Sequence, residues 1–435
     1  MKILFTSSAI LFFVINISLS QQYWIEQNSG VTVQLTSVSK PQSFTNAGWI
    51  CGYSGTVLRT TNWGQVWENV SGNGIPNTVS LINIFGIDAS TALTAGYQGS
   101  DTWVWKTSNG GTNWVQVFSQ PGGFINAIWV LFQTDGFMIG DPVGGRWSMW
   151  KSSDGGSTWD STGLYLPQIG SETGYNNSLF WQTPKIWFGT NNSRIYYSSN
   201  DGANWLPEST PGQTNSFAIW FNYDGLNGLA GCSELLESSN SGGSWSLFPA
   251  PGTGNITGVS GSPVPVDNLP LYAYMWFTRS GGSSIYYSFG SSNWVTEYTA
   301  PSGTYRHMSL TLAPTGFWAV RTNGGISYHT PYAGVRQTSA SSPQEFALSQ
   351  NYPNPFNPVT RIKFDIASVG ARYIVPVRIV IFDVLGQEIA TLVNKKLQPG
   401  TYETEWDASN YPSGVYFYKL ITADYTETKK MILIK

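Results

Sequence analysis

TSNGGTNW at residues 107–114, SSDGGSTW at 152–159, SSNDGANW at 198–205 and SSNSGGSW at 238–245 are one phrase repeated along the chain. TTNWGQVW at 60–67 precedes them, and a worn YSFGSSNW at 287–294 follows. The closing tryptophans stand 47, 45, 46, 40 and 49 residues apart, with Trp24 another 43 ahead of Trp67. A period of that length, marked by a Gly-rich turn and a large aromatic, denotes small sheets arrayed in a ring or stack.

Each repeat reads as four short strands. In the first these are TVQLTSVS (32–39), GWICGY (48–53), TVLRTT (56–61) and, past the turn, VWENV (66–70). In the third they are INAIWVLF (125–132), GFMIGDP (136–142), RWSMWKSS (146–153) and TWDST (158–162). Four strands at this spacing describe a β-propeller blade. After Trp294 come RHMSLTLAP (306–314), GFWAV (316–320) and ISYHT (326–330), three strands without a fourth, while YWIE (23–26) stands alone before the first repeat. Pairing the orphan with the incomplete blade predicts seven blades over residues 22–335 and leaves no sheet edge open at the ring's seam.

The composition agrees with an all-β chain. Of 435 residues only 11% are charged and 15% are aromatic, as expected of Gly-punctuated short strands. A net charge of -3 spread along the length offers no basic patch for nucleic acid. Residues 1–20 read as a signal peptide, with Lys2, an apolar run over 9–15 and a small-residue cleavage site at Ser18-Leu19-Ser20. No later stretch is long and apolar enough to span a membrane. Cys51 and Cys232 fall in blades that are not neighbours, so two buried thiols are expected rather than a disulfide. Two histidines and two distant cysteines do not make a zinc set, and no metal or cofactor is expected. The chain is read as a monomer.

Within each turn an Asn or Asp stands five before the tryptophan (Asn62, Asn109, Asp154, Asn200, Asn240) and a glycine three before (Gly64, Gly111, Gly156, Gly202, Gly242). The first can bond its own turn backbone and the second can take a positive φ, leaving Trp67, Trp114, Trp159, Trp205, Trp245 and Trp294 to wedge between sheets. Phe289 and Ser291 replace the polar residue and glycine before Trp294, so that turn is expected to be irregular. These positions read as architecture. The phrase resembles the Asp-box of bacterial neuraminidase (BNR) repeats, and GWICGYSGTVLRTTNWGQVW with GDPVGGRW at 140–147 looks like the YCF48-like branch of those propellers. That resemblance implies binding of protein or glycan; its sialidase branch implies glycoside hydrolysis.

Candidate ligand residues lie on the other face, in the loops leading into each first strand and those joining second to third strands: Tyr53, Tyr97, Asp101, Asp141, Arg146, Arg194, Arg279, Arg306, His307 and Arg321. A concave mouth lined by aromatic and polar groups suits a sugar or peptide. Sialidase chemistry implies three arginines on a carboxylate, a tyrosine activated by a glutamate and an acid/base aspartate. The chain has the residue types but lacks that family's Arg-Ile-Pro segment. Asp141 and Glu172 are the carboxylate pair available to another glycosidase, whose outcome would depend on their separation.

Beyond a small polar linker at 336–344 the character changes. VRIVIFDV, TYETEWDA, GVYFYKLI and TKKMILIK alternate as half-buried strands, predicting a small Ig-like antiparallel sandwich over 345–435. NYPNPFNP, IFDVLGQEI, LQPGTY, SGVYFYKL and the final KKMILIK resemble, in order, the type A sorting domain of type IX secretion. The resemblance implies recognition by that machinery and delivery to the medium or the outer surface of a Gram-negative cell. The expectation is an exported, non-catalytic binding or adhesion propeller, with a sialidase-like hydrolase as the alternative.

Overall fold

The computed structural model describes residues 24–41, 46–222, 224–261, 275–288, 293–310, 316–329, 336–339, 343–367, 375–408 and 411–435. The signal peptide, the core of the sixth turn (289–292) and part of the linker (340–342) lie outside the described residues. The chain divides into two compact units, one over Tyr23–Tyr332 and one carrying the tail.

Among the described residues the first unit holds seven antiparallel sheets. Blades 1 to 6 begin with the innermost strands Leu35–Ser39, Ser80–Gly86, Ile125–Leu131, Gly174–Gln182, Ala218–Phe221 and Ile256–Gly261, and blade 7 with Tyr305–Met308. Alternating polar and apolar faces are absent from most inner strands: INAIWVL and AIWF are buried along their whole length. A blade packed between two others has no wet face, so its strands read as continuous apolar runs.

The orphan strand closes the ring as expected. Trp24–Gln27 pairs antiparallel with Ile326–His329, Trp24 opposite His329 and Gln27 opposite Ile326. Its side chains tie three blades together. Trp24 Nε1 donates to Glu297 Oε2 of blade 6 at 2.8 Å. Glu26 accepts from Tyr298 Oη (2.8 Å), Ser327 Oγ (2.7 Å) and both terminal nitrogens of Arg321. Gln27 Oε1 accepts from the indoles of Trp67 in blade 1 (3.0 Å) and Trp318 in blade 7 (2.9 Å).

Blade 3 departs from the four-strand expectation. Its sheet has three strands, Ile125–Leu131, Asp135–Val143 and Arg146–Ser152. The segment expected as the fourth meets it through one isolated bridge, Lys151 to Asp160, and a second bridge further on joins Arg146 to Pro167. Asp160 Oδ1 accepts the Thr162 N–H and turns the chain away, and Pro167 has no N–H to continue a ladder.

The repeated turns are built as expected, with one addition. Glycines 64, 111, 156, 202 and 242 all have φ between +77° and +85°. The Asn or Asp Oδ1 accepts the N–H four residues on, as in Asn113 to Asn109 (3.0 Å) and Thr158 to Asp154 (2.9 Å). A Ser or Thr seven before the tryptophan completes the unit, donating to that Oδ1 and accepting the glycine N–H. Ser238 does so at 3.0 and 2.9 Å. Replacing Ser238 with alanine removes both bonds and should cost about 1–2 kcal/mol, measured by denaturant unfolding; an unchanged midpoint would show that the hydroxyl is dispensable. The tryptophans reach the preceding blade: Trp67 meets Trp318 edge-on at 5.6 Å and Trp114 meets Trp49 at 6.1 Å.

Cys51 and Cys232 are unpaired and buried in blades 1 and 5, where desolvation pushes both thiols up to about 12.

In the tail, two four-stranded sheets run Arg336–Ser339, Gly400–Asp407, Val359–Ile366, Ala347–Leu348 and Glu388–Leu397, Val375–Phe382, Gly414–Ile421, Thr426–Leu433. Val359–Ile366 shows the clean alternation of a strand with one dry face, and Ile362, Phe364, Ile379, Ile381, Leu420 and Met431 fill the core. The expected linker therefore begins with a strand: Arg336 pairs with Glu403 in the tail's own sheet.

Candidate functional site

Antiparallel order places the lead-in loops and the second-to-third-strand loops at one end of the ring axis. The first hairpins and the glycine turns lie at the other. Six of the seven innermost strands shift register at one level, between Leu35 and Ser37, Leu81 and Asn83, Ile125 and Ala127, Gly174 and Leu179, Ile256 and Gly258, and Tyr305 and His307. Blade 4 carries the enlarged version: residues 175–178 face a single residue of the partner strand. Asn177, at φ +66°, is thrust across the axis. Its Oδ1 accepts from Ser37 Oγ of blade 1 (2.8 Å) and Asn83 Nδ2 of blade 2 (2.7 Å). Asn83 Oδ1 in turn accepts the Ile128 N–H of blade 3 at 3.1 Å.

On the lead-in side of this bridge the same bulge supports a polar cluster. Asp141 Oδ1 accepts from Asn126 Nδ2 and from the Gly174 N–H, both at 2.8 Å. Burial pushes the Asp141 carboxyl above the usual range, against those two bonds. Tyr175 packs its ring at a tilt against Phe217, centroids 4.3 Å apart, and donates to Asn215 Oδ1 at 2.7 Å. Desolvation, with the nearby Asp141 charge, raises the Tyr175 phenol.

The other expected site residues do not converge. Tyr53, Arg146 and Arg306 are exposed. Tyr97 packs on Phe124 at 4.9 Å, and Asp101 Oδ1 accepts the Gly122 N–H at 3.4 Å. Arg279, only 2% exposed, spends its fork on the carbonyls of Pro251, Ser233, Gly254 and Ala250. Arg321 is as deeply buried and holds Glu26. Arg194 pairs at 3.1 Å with Glu172, which also accepts from Tyr196 Oη (2.9 Å) and Asn192 Nδ2 (3.2 Å). Glu172 is fully buried, and its oxygens clamp the loop before blade 4. The hydrolase pair is thus a clamp and one hydrogen-bonded carboxylate, and two of the candidate arginines are internal ties.

His307 is half-buried and lines a cavity on the ring axis. Its Nδ1 accepts the Val38 N–H at 3.1 Å, so the neutral ring carries its proton on Nε2. Burial pushes it down to about 4 from 6.5. The unfolded chain takes up this proton first, so the contribution to stability is present above about pH 6.5 and lost as pH falls through about 4. Relative to wild type, His307→Gln should flatten the stability loss across that window, by roughly 2–3 kcal/mol. Parallel melting-temperature profiles for the two proteins would refute it.

Asn83, Asn177, Tyr175 and Ser37 were not among the candidates from sequence. The available signal was the doubled asparagine in GYNNSLFW, a first strand longer than its counterparts. Among the described residues no group of His, Cys, Asp and Glu could hold a metal ion, and no helix is long and apolar enough to cross a membrane.

Fold and site together define a seven-bladed β-propeller followed by a separate small β-domain. Residues 350–435 match the family described as the secretion system C-terminal sorting domain, so the tail is a sorting domain and the protein is a secreted or cell-surface one. Among solved structures, the propeller is similar to YCF48 from Cyanidioschyzon merolae, at 16% identity, TM-score 0.55, covering 71% of this chain and 99% of that one. It is likewise similar to YCF48 bound to D1 peptide, at 16% identity, TM-score 0.56, covering 72% and 98%. At that identity the likeness carries the fold alone. No curated protein matches the sequence.

Proposed function

We propose that the protein is an exported binding or adhesion module: the type IX machinery of a Gram-negative cell delivers it by its tail, and the propeller holds a ligand outside the cell without turning it over. The observation that carries this reading is the contrast at the lead-in face. Glu172, Arg279 and Arg321, which hydrolysis would call upon, are committed to bonds within the protein. Asp141, Tyr175 and Asn215 are also hydrogen-bonded, Asp141 to the buried Asn126 and Tyr175 to Asn215, but all three stay partly exposed around the bulge of blade 4. Amides, a carboxylate and a tyrosine face suit a glycan, the first choice of ligand. A surface protein is the second, supported by the similar propeller solved with a bound peptide.

A glycan array run beside a fluorogenic glycoside panel tests this. Asp141→Asn keeps an acceptor at Oδ1, so the fold should hold while saturable glycan binding falls at least tenfold. Turnover abolished by Asp141→Asn or by Arg146→Ala would favour the hydrolase. Silence in both assays would leave the protein partner.

A further inference from the structure

The axis holds a second feature, on the far side of Asn177 from the polar cluster. A cavity of about 260 Å³ runs from the level of Ser37, Asn83 and Asn177 to Lys40, Pro41 and Trp63. Lys40 and Pro41 follow the first strand of blade 1, and Trp63 belongs to that blade's glycine turn, so the cavity extends toward the glycine-turn face. Asn177 bridges blades 4, 1 and 2 and obstructs the lead-in side.

Its wall is graded. Polar groups gather at the inner end, where His307 presents the ring edge not used by Val38. The middle is apolar, lined among others by Ile128, Trp129, Leu179, Ile219 and Val259. At the outer end the Lys40 ammonium lies 5.1 Å from the centroid of the Trp63 ring, and burial lowers its pKa to about 8. Four residues from Ser37 to Pro41, at the rise of an extended chain, give a depth of ~13 Å. At about one probe sphere per atom the volume admits roughly one to two dozen non-hydrogen atoms.

We propose that this cavity is a binding site for a small amphipathic carboxylate, whose apolar body lies along the axis and whose anionic head meets Lys40 at the mouth. An apolar body excludes water from the aliphatic wall, which supplies most of the affinity. A carboxylate beside a partly desolvated ammonium makes a charge-assisted hydrogen bond stronger than a neutral one. The site is at the opposite end of the axis from the Asp141 cluster, so its failure would leave the glycan reading untouched.

Sodium decanoate and decan-1-ol, titrated calorimetrically into the full mature chain, test the proposal. Saturable binding of decanoate at one per chain is expected, about tenfold tighter than the alcohol. Ile219→Trp, which fills the middle of the cavity, should weaken both ligands at least tenfold. Lys40→Met should weaken decanoate about tenfold and the alcohol less than twofold. Should Ile219→Trp fail to fold, Val259→Phe blocks the same space from the next blade. Absence of saturable decanoate binding to the wild-type chain would overturn the proposal, as would undiminished binding to a folded cavity-filling variant. Equal loss of acid and alcohol in Lys40→Met would overturn the carboxylate assignment.

Discussion

Glu26→Ala should destabilise the propeller by about 3–5 kcal/mol, the range found when one member of a buried ion pair is removed and the other stays behind. The survivor is Arg321, whose side chain is 2% exposed against 33% for Glu26. Its two terminal nitrogens both point to Glu26, and the guanidinium also lies over the Tyr305 ring at 5.7 Å. The alanine also strips acceptors from Tyr298 and Ser327. The double variant Glu26→Ala, Arg321→Met removes the stranded charge and should be more stable than Glu26→Ala alone, a sign that a double-mutant cycle isolates. Nineteen of the twenty tryptophans precede the tail, so urea unfolding followed by tryptophan fluorescence reports on the ring. A loss below about 1 kcal/mol for Glu26→Ala would mean that the seam is held by backbone pairing and Trp24 rather than by this pair.

Removing residues 336–435 should abolish appearance of the protein in the medium or on the cell surface, with at least a tenfold loss from those fractions and accumulation in the periplasm. The cut belongs at 336 because Arg336–Ser339 pairs with Gly400–Asp407 of the tail; a cut at 345 would leave an edge strand without its sheet. All seven propeller sheets are retained in the truncated chain, so it should fold and stay protease-resistant. Retention is then due to sorting and not to misfolding. Export of the truncated chain at the wild-type level would sink the assignment of the tail as the delivery signal.

Much of the architecture was legible because it rests on contacts close in sequence. The glycine turns bond within four residues, as with Gly242 to Ser238, so their pattern is written in consecutive letters. The orphan strand was legible by counting: three strands at one end and one at the other leave a single way to close the ring. The tail was legible because its strands have one dry face and alternate accordingly. Blade 3 was misread because Thr158 to Thr162 has strand-like composition, whereas the Asx turn at Asp160 and the missing N–H of Pro167 decide the ladder.

By itself the sequence determined the repeat, the number of blades, the seam and a second small β-domain, since each follows from periodicity or from hydrogen bonds a few residues long. Only the tertiary structure decided which polar side chains remain for a ligand. Arg279 meets carbonyls 25 to 46 residues away, and Asn177 meets Ser37 across 140 residues. The physical reason is ring closure: it brings groups from distant repeats within 3 Å of one another across the axis and between blades, and no local pattern of residues records which of them will be satisfied there.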